Sequence, residues 1–333
     1  MLRDFYSNRY KENGELKYRI WDATRTPSYH QFYYWFKKLE DPKKDIQFRK
    51  STKEYELKHR PILSNSKLET NGPGTRFQID ATIADIYLVS SLDVNKVIGR
   101  PVIYAVLDVY SRIITGLYVG LEGPSWVGAM MALDNMVADK VEFCKQYGID
   151  ITPEQWPTHH LPEIIIADRG EFEGYSVDNL INNLNIKIEN TTAYRGDLKG
   201  IVERKFRTFN GKVKQKAPGA IQKEFRERGD QDYRLNATLN LKEFTSLIIT
   251  MALHHNQKVI EKYPVEKEMV AEELVPTPIN LWNWGIQNRK GRLRTIDRNI
   301  LRLNVLPRGK ATISRAGIKF KNLLYGSQRA IEE

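Results

Sequence analysis

The chain has 333 residues, of which 41% are hydrophobic and 28% charged, so wholesale disorder is excluded and globular cores of ordinary size are expected. Its 52 Lys and Arg residues exceed its 41 Asp and Glu residues. The net charge of +11 favours polyanionic partners, nucleic acid first, although a merely soluble basic protein has the same composition.

The single cysteine, Cys144, excludes a disulfide scaffold and a zinc finger. No apolar run approaches the roughly 18 residues of a membrane span, and the first residues lack the apolar segment of a secretion signal. We therefore expect a cytoplasmic protein with no membrane partner.

Residues 1–60 are rich in charged and aromatic residues and are predicted to form a helical, helix-turn-helix-like DNA-binding region with its linker. A helix is predicted over residues 26–38, with Pro27 and Ser28 near its start. Residues 41–70 show no hydrophobic period and are predicted to be a linker.

The predicted helix has one apolar face, formed by Phe32, Trp35 and Phe36. Lys37 and Lys38 lie off that face, as expected of a recognition helix that contacts DNA. The same pattern also fits an ordinary amphipathic helix in a basic protein.

Residues 72–260 alternate between strand and helix patterns, which predicts an α/β layered domain. The predicted strands are 76–82, a hairpin over 101–120, 163–168 and 186–191; the predicted helices are 126–137, 177–184, a segment from about residue 198, and 241–256. In the third helix the apolar residues Val202, Phe206, Phe209 and Val213 are spaced as one buried stripe.

Residues 261–306 contain three prolines and are predicted to be a linker followed by a helix over 293–306. Trp282 and Trp284 are expected to anchor this linker on a neighbouring domain.

The basic segment 307–333 alternates like two short strands joined at an Ala-Gly turn. These are too few strands for a closed barrel, so any barrel would be truncated here. Lys310 and Arg315 are candidate contacts to a DNA backbone, or part of a solvated edge.

Three carboxylates stand out by their placement. Asp80 is predicted to end the first strand of the α/β domain, Asp168 ends a later buried strand, and Glu203 lies early in the helix with the apolar stripe. Brought together, three carboxylates repel one another unless a cation lies among them, and oxygen ligands suit Mg²⁺ or Mn²⁺. Two ions about 3.5–4 Å apart would suit in-line phosphoryl transfer.

Basic residues surround the second and third of these acids. Those near Glu203 are predicted phosphate contacts, or else an ordinary charged helix surface: Lys199, Arg204, Lys205, Arg207, Lys212 and Lys214. Arg169 and Arg195 are further candidates for phosphate contact.

Several other acids compete for a role at the site: Asp85, Asp93, Asp108, Glu171 and Glu173. Asp108 lies in the hairpin turn D-V-Y-S-R, where a structural role is favoured. The pairs His159–His160 and His254–His255 lack a third ligand in the sequence pattern, which favours buried or solvated histidine over a metal site.

The segments F-Q-I-D-A-T, I-I-I-A-D-R-G-E-F and N-T-T-A-Y-R-G-D-L-K-G-I-V-E-R-K-F resemble the DDE transposase and retroviral integrase superfamily. Within it, the chain resembles the TnsB group of strand-transfer transposases from Tn7-like transposons. The resemblance implies a ribonuclease-H-like catalytic domain, a small C-terminal β-barrel starting near residue 307, and Asp80, Asp168 and Glu203 as the metal-binding catalytic acids.

The resemblance further implies the reaction and its partners. Two Mg²⁺ ions, or Mn²⁺ ions in their place, would be bound, and one of them would activate the water that nicks the 3′ end of a transposon. The freed hydroxyl would then attack target DNA. Members of this group assemble as multimers on paired DNA ends and work with a TnsA-like endonuclease and a TnsC-like ATPase. The resemblance also implies a location in the bacterial cytoplasm, at the nucleoid.

Two alternatives to a transposase stay open at this point. A ribonuclease-H-like nuclease or resolvase would use the same metals but only hydrolyse. A non-catalytic, DNA-binding architectural protein would carry the acids without using them.

Overall fold

The computed structural model describes residues 2–22, 24–55, 59, 70–167, 175–190, 200–222, 232–289, 293–306 and 309–326. The chain divides into two units, residues 1–62 and residues 63–333. None of the helices in these described ranges combines the length and apolarity that a bilayer crossing requires.

The first unit begins with a hairpin that the sequence analysis does not predict. Its elements are α1 (Leu2–Phe5), β1 (Ser7–Glu12), β2 (Glu15–Ile20), α2 (Tyr29–Leu39), α3 (Pro42–Arg49) and α4 (Thr52–Glu54). β1 and β2 pair antiparallel around Asn13 and Gly14, which both have positive φ angles, 51° and 81°. Asn-Gly is the favoured pair for such a two-residue turn, so the prediction of an entirely helical region is wrong here, although the turn signal is in the sequence.

The start of α2 agrees with the predicted helix. Ser28 caps it, accepting a hydrogen bond from the backbone N–H of Gln31, whose side chain accepts one in return from the backbone N–H of Ser28. The predicted linker over 41–70 is wrong in its first part, because Asp41 and Pro42 start α3 as N-cap and first helical residue. Residues 56–58 and 60–69 lie outside the described residues.

The second unit contains a five-stranded sheet in the order β7-β6-β3-β8-β9. The elements up to its last strand are β3 (Arg76–Ile83), β4 (Leu88–Val89), β5 (Val97–Gly99), β6 (Val102–Asp108), β7 (Ile114–Gly120), α5 (Trp126–Val137), α6 (Lys140–Gln146), β8 (Ile164–Ala167), α7 (Tyr175–Leu184) and β9 (Lys187–Asn190). β7, β6 and β3 are antiparallel, whereas β3, β8 and β9 are parallel.

Helices cover both faces of this sheet, which explains why every residue of β6 is buried. Val102, Tyr104 and Val106 belong to the core that contains α5, whereas Ile103 and Leu107 belong to the core on the opposite face. The opposite core contains α8 (Gly200–Lys216) and α9 (Leu241–Gln257). The predicted α/β layered architecture is confirmed.

The predicted apolar stripe of α8 is also confirmed, since all four of its residues are buried in the second core: Val202, Phe206, Phe209 and Val213. Each strand and helix predicted between residues 72 and 260 is present, with ends shifted by at most two residues or so. Three short elements, β4, β5 and α6, go beyond the prediction.

The predicted linker in 261–306 is wrong over much of its length. It holds α10 (Lys267–Ala271), α11 (Pro278–Asn288) and α12 (Arg298–Val305). Pro278 occupies the first turn of α11 and therefore starts a helix rather than interrupting one. Trp282 is fully buried in the first core with Phe77, and Trp284 packs in a third apolar cluster with Tyr110, so both anchor this segment on residues 72–260, as predicted.

The C-terminal segment forms an antiparallel sheet of three strands rather than the two predicted. They are β10 (Thr312–Ser314), β11 (Gly317–Phe320) and β12 (Leu323–Tyr325). The second turn is made by Lys321 and Asn322, both with positive φ angles, and it is this turn that the sequence pattern did not reveal. The described residues contain no closed barrel, and the barrel stays a prediction.

One buried carboxylate fastens α12 to α5. Asp134 accepts hydrogen bonds from Arg298 Nε (2.9 Å) and Nη2 (2.6 Å), and from Arg302 Nε (2.7 Å) and Nη2 (3.0 Å). Burial raises the pKa of Asp134, but the bonds from the two guanidinium groups outweigh it and hold that pKa below its usual range.

We expect Asp134→Asn to lower the free energy of unfolding by about 2 kcal/mol, because it removes the charge that two arginines share and leaves their donors poorly matched. Urea unfolding measures the change. Asp150→Asn, at an exposed position, is the matched control and should unfold like the wild type. Equal stability of the two variants would contradict the role given to Asp134.

Candidate active site

Two of the three predicted catalytic acids line one cavity. Asp80 comes from β3 and Glu203 from α8, and the cavity between them has a volume of about 460 Å³. Asp80 lies on the face of β3 that α8 covers, because Phe77 and Ile79 point into the core on the other face. Glu203 lies next to the buried stripe of α8, so the packing of that stripe on the sheet directs Glu203 towards Asp80.

The third predicted acid, Asp168, lies outside the described residues. β8, the parallel neighbour of β3, ends at Ala167, which is the residue before it in the sequence. Among the described residues no group of three potential metal-binding side chains is present. Arg169, Arg195, Lys199, Glu171 and Glu173 also lie outside the described part of the chain.

The cavity is not purely acidic. Arg207, Asn210 and Lys214 line it from the same flank of α8 as Glu203. An acidic pair with cations at its edge can hold a divalent ion at the carboxylates and a phosphate group beside them.

Asp85 lines the same cavity, but cations already engage both of its carboxylate oxygens. Oδ1 accepts a hydrogen bond from Arg100 Nη2 at 2.6 Å, and Oδ2 lies 3.0 Å from Lys214 Nζ. Asn210 Oδ1 also accepts a hydrogen bond from the Asp85 backbone N–H at 3.4 Å. These contacts fasten α8 to the chain beyond β3, a structural role that sequence spacing alone does not indicate.

Asp108 has the structural role that the sequence favoured. It is fully buried, and it accepts hydrogen bonds from the Gly74 backbone N–H (3.1 Å) and from the backbone N–H (2.7 Å) and Oγ (2.6 Å) of Ser111. Burial raises the pKa of Asp108 to about 6, against these hydrogen bonds, which lower it. Another rival, Asp93, is exposed and accepts a hydrogen bond from the Asn95 backbone N–H in a loop.

The predicted basic contacts on α8 divide between two flanks. Arg207 lines the cavity of Asp80 and Glu203, whereas Arg204 and Lys205 line a second cavity on the other flank. Lys205 Nζ lies 2.8 Å from His255 Nδ1, and burial lowers the pKa of Lys205 to about 8.

The two histidine pairs form no metal centre among the described residues. His255 is held between Lys205 and the carbonyl oxygen of Arg112, 2.8 Å from its Nε2. Burial lowers the pKa of His255 to about 3, and burial likewise lowers that of His160 to about 4, so both are neutral at physiological pH. Both side chains are partly buried, and their place outside any metal site stays a prediction.

Four predicted contacts outside α8 fall in the described part of the chain, and all four are exposed: Lys37, Lys38, Lys310 and Arg315. In the first unit Lys37 forms an ion pair with Glu40 at 2.7 Å, and Lys38 lies over the ring of Trp35 at 5.0 Å. Lys310 and Arg315 are exposed beside and within the C-terminal sheet. Their contact with DNA stays a prediction.

Comparison with known proteins decides the family. A model of the TnsB C-terminal domain matches residues 78–219, and a model of the TnsB transposase helix-turn-helix domain matches residues 1–55. The transposon Tn7 transposition protein TnsB of Escherichia coli is 40% identical over 309 residues, which are 92% of this chain and 44% of that protein. The chain belongs to the TnsB family.

A second curated relative of this TnsB-family chain is the transposase for transposon Tn552 of Staphylococcus aureus, 26% identical over 307 residues, 90% of this chain and 55% of that protein. The chain thus spans about half the length of the curated relatives it matches.

Solved structures with a similar backbone include two retroviral integrase domains. The catalytic core domain of BIV integrase has a TM-score of 0.34 at 13% identity and covers 64% of this chain and 97% of its own. The HTLV-2 integrase catalytic core domain in complex with magnesium has a TM-score of 0.30 at 14% identity. Its match covers 57% of this chain and 90% of that domain. The likeness is distant.

The raised pKa of Asp108 has a consequence for stability. The folded protein binds this proton more tightly than the unfolded chain, in which the pKa is about 3.9. Between these two pKa values the folded state holds more protons, so the free energy of unfolding falls as the pH rises from about 4 to about 6.

We therefore expect the wild type to lose about 2–3 kcal/mol of stability relative to Asp108→Asn between pH 4 and pH 7. Urea unfolding of both proteins across this range measures the difference. Asp93→Asn, which removes a carboxylate from an exposed loop outside the core, is the matched control. A difference between the wild type and Asp108→Asn that does not change with pH would show that the pKa of Asp108 is not raised.

Proposed function

We propose that this TnsB-family chain is the catalytic part of a DNA transposase that nicks transposon 3′ ends and joins them to target DNA by metal-dependent phosphoryl transfer. The observation that carries the proposal is the shared cavity of Asp80 and Glu203. Family membership supplies the context, because the two family models cover both the region of these acids and the N-terminal unit.

The pairing of β3 with β8 supports Asp168 as the third acid. Gln78 pairs with Ile166 in a parallel register. If that register continued for two more residues, Asp168 would lie opposite Asp80, and this is the arrangement that we propose. The two aspartates would then lie side by side on neighbouring strands, on the face of the sheet from which Glu203 of α8 lines the same cavity as Asp80.

The donor set of the cavity fits a magnesium ion. Asp80 and Glu203 offer carboxylate oxygens, which Mg²⁺ prefers, and no sulfur ligand lines the cavity. We propose that Asp80, Asp168 and Glu203 hold two Mg²⁺ ions, with Mn²⁺ as a substitute. When bound, the ions would supply activation of the attacking oxygen and stabilisation of the leaving oxygen.

The residues of the chain would hold and orient the DNA around these acids. Arg207 faces the cavity from an exposed position, where its guanidinium can contact a phosphate on either side of the scissile bond. Lys214, held by Asp85, would add positive charge without moving. We propose further phosphate contacts for the remaining basic residues of the predicted set: Lys37, Lys38, Arg169, Arg195, Lys199, Arg204, Lys205, Lys310 and Arg315.

The partners of the reaction are part of the proposal. The substrates would be transposon-end DNA, bound through the helix-turn-helix region of residues 1–55, and target DNA. We propose that the protein acts as a multimer on paired ends in the bacterial cytoplasm, at the nucleoid. A TnsA-like endonuclease would cut the other strand and a TnsC-like ATPase would deliver the target.

Replacing Glu203 tests the chemistry directly. We expect Glu203→Gln to lower 3′ nicking and strand joining by at least about a hundredfold in Mg²⁺, because a ligand charge is lost where charge develops in the transition state. The assay supplies a transposon end, intact or already nicked, together with a target plasmid, and resolves nicked from joined products.

Asp93→Asn is the matched control for this experiment, since it removes a carboxylate from an exposed loop outside the cavity, and it should nick and join like the wild type. Joining that persists in Glu203→Gln would count against the proposal. Wild-type protein that nicks but never joins a pre-nicked end would favour the hydrolytic nuclease instead, and unchanged processing in Asp168→Asn would favour the architectural protein.

A further inference from the structure

A second cavity lies on the flank of α8 opposite Glu203. Its volume is about 630 Å³, and it lies between the N-terminal half of α8, the end of α9 and the segment that follows α9. We name it the basic cavity, because six cationic side chains line it against a single acid, Glu261: Arg112, Arg204, Lys205, Lys212, Lys258 and Lys262. Like charges gathered in this way repel one another unless an anion joins them.

The helical period explains how α8 serves both cavities. Glu203, Arg207 and Lys214 recur on one flank, whereas Lys205 and Lys212 recur on the other, and the buried stripe lies between them. The two cavities are therefore separated by about the width of one helix, roughly 10 Å.

Arg112 is the most unusual residue of the basic cavity. Its φ angle is 67°, a left-handed conformation that a residue with a side chain rarely adopts. Its Nη1 atom is buried and, among the described residues, has no hydrogen-bond partner. A buried guanidinium nitrogen without an acceptor costs free energy, so its retention at a strained position points to a ligand that supplies the acceptor.

Among the described residues, no side chain around Arg112 accepts a hydrogen bond from its Nη1 atom. The nearby acids, Glu261 of the cavity and the buried Asp108, are outnumbered by the six cationic side chains. His255 Nε2 donates to the carbonyl oxygen of Arg112, because a carbonyl can only accept, and this fixes the ring tautomer. Nδ1 is then the acceptor for Lys205 Nζ. The neutral imidazole thus orients the lysine and holds the backbone of Arg112 in place, but it leaves the positive charges uncompensated.

We propose that the basic cavity binds a phosphodiester group of DNA, at a point on the strand removed from the one over Asp80 and Glu203. A phosphate offers the Arg112 guanidinium its missing acceptor, and the N-terminal half of α8 favours an anion through the helix dipole. This inference rests on the proposed function as a DNA transposase, and it assigns a second point at which α8 contacts the DNA.

Lys258 and Lys262 provide the sharpest test, because both are exposed and neither belongs to α8. The double variant Lys258→Gln/Lys262→Gln should bind duplex DNA about tenfold more weakly at 0.15 M salt. The slope of log affinity against log salt concentration should become shallower by about 1, as expected when one phosphate contact is lost. Fluorescence anisotropy with a labelled duplex measures both quantities.

The matched control is Lys145→Gln/Lys242→Gln, which removes the same charge from exposed positions outside the basic cavity. Its affinity and slope should stay near those of the wild type. Equal losses in the two double variants would show a general charge effect and would overturn the proposal. Arg112→Gln, checked for folding by circular dichroism, should weaken binding further, and the lysine pair decides the matter if that variant does not fold.

Inorganic phosphate distinguishes DNA from a small anion. Two results together would identify a small-anion site and overturn the assignment to DNA. Millimolar phosphate would raise the melting temperature of the wild type, and the slope of log DNA affinity against log salt concentration would be unchanged in the Lys258→Gln/Lys262→Gln variant. The proposed catalysis is tested separately. If the wild type neither nicks nor joins DNA, but the salt slope still differs between the Lys258→Gln/Lys262→Gln variant and the wild type, the basic cavity is a DNA site and the proposed function is wrong.

Discussion

The packing of α8 on the sheet is the constraint on which the rest of the site depends. Its buried stripe, from Val202 to Val213, fixes the rotation of the helix about its axis. Once that rotation is set, the 3.6-residue period directs Glu203 to one flank and Lys205 to the other. Burial of four large apolar side chains stabilises this orientation by several kcal/mol, far more than a surface ion pair could. The same packing thus shapes both an acidic and a basic cavity.

The carboxylates of the chain differ chiefly in what surrounds them. Asp134 is shared by two arginines, Asp85 is held by Arg100 and Lys214, and Asp108 accepts three hydrogen bonds in the core. Each joins segments far apart in the sequence and serves the fold. Asp80 and Glu203 come from β3 and α8 and line one open volume, where a carboxylate can meet a metal ion or a substrate.

Short contacts link the fold to the two cavities in which the DNA chemistry is proposed. Asp85 fastens the C-terminal half of α8 through Lys214, and His255 ties the N-terminal half, through Lys205, to the turn that carries Arg112. The helix is therefore held near both ends while its flanks remain accessible. Such support is what a site for phosphoryl transfer needs, because small displacements of charged groups change transition-state stabilisation strongly.

The sequence by itself determined the longer strands and helices of residues 72–260, the stripe of α8 and the trio of candidate acids, because these depend on local hydrophobic period and on residue type. The predicted linker around α11 was wrong, since local prolines do not reveal that Trp282 fills a core formed by distant elements. Likewise, only the tertiary structure decided that Asp85 is engaged by cations, that Asp80 and Glu203 share a cavity and that Arg112 faces the opposite flank of α8. These features depend on contacts between residues far apart in the chain, and such contacts leave no period in the sequence.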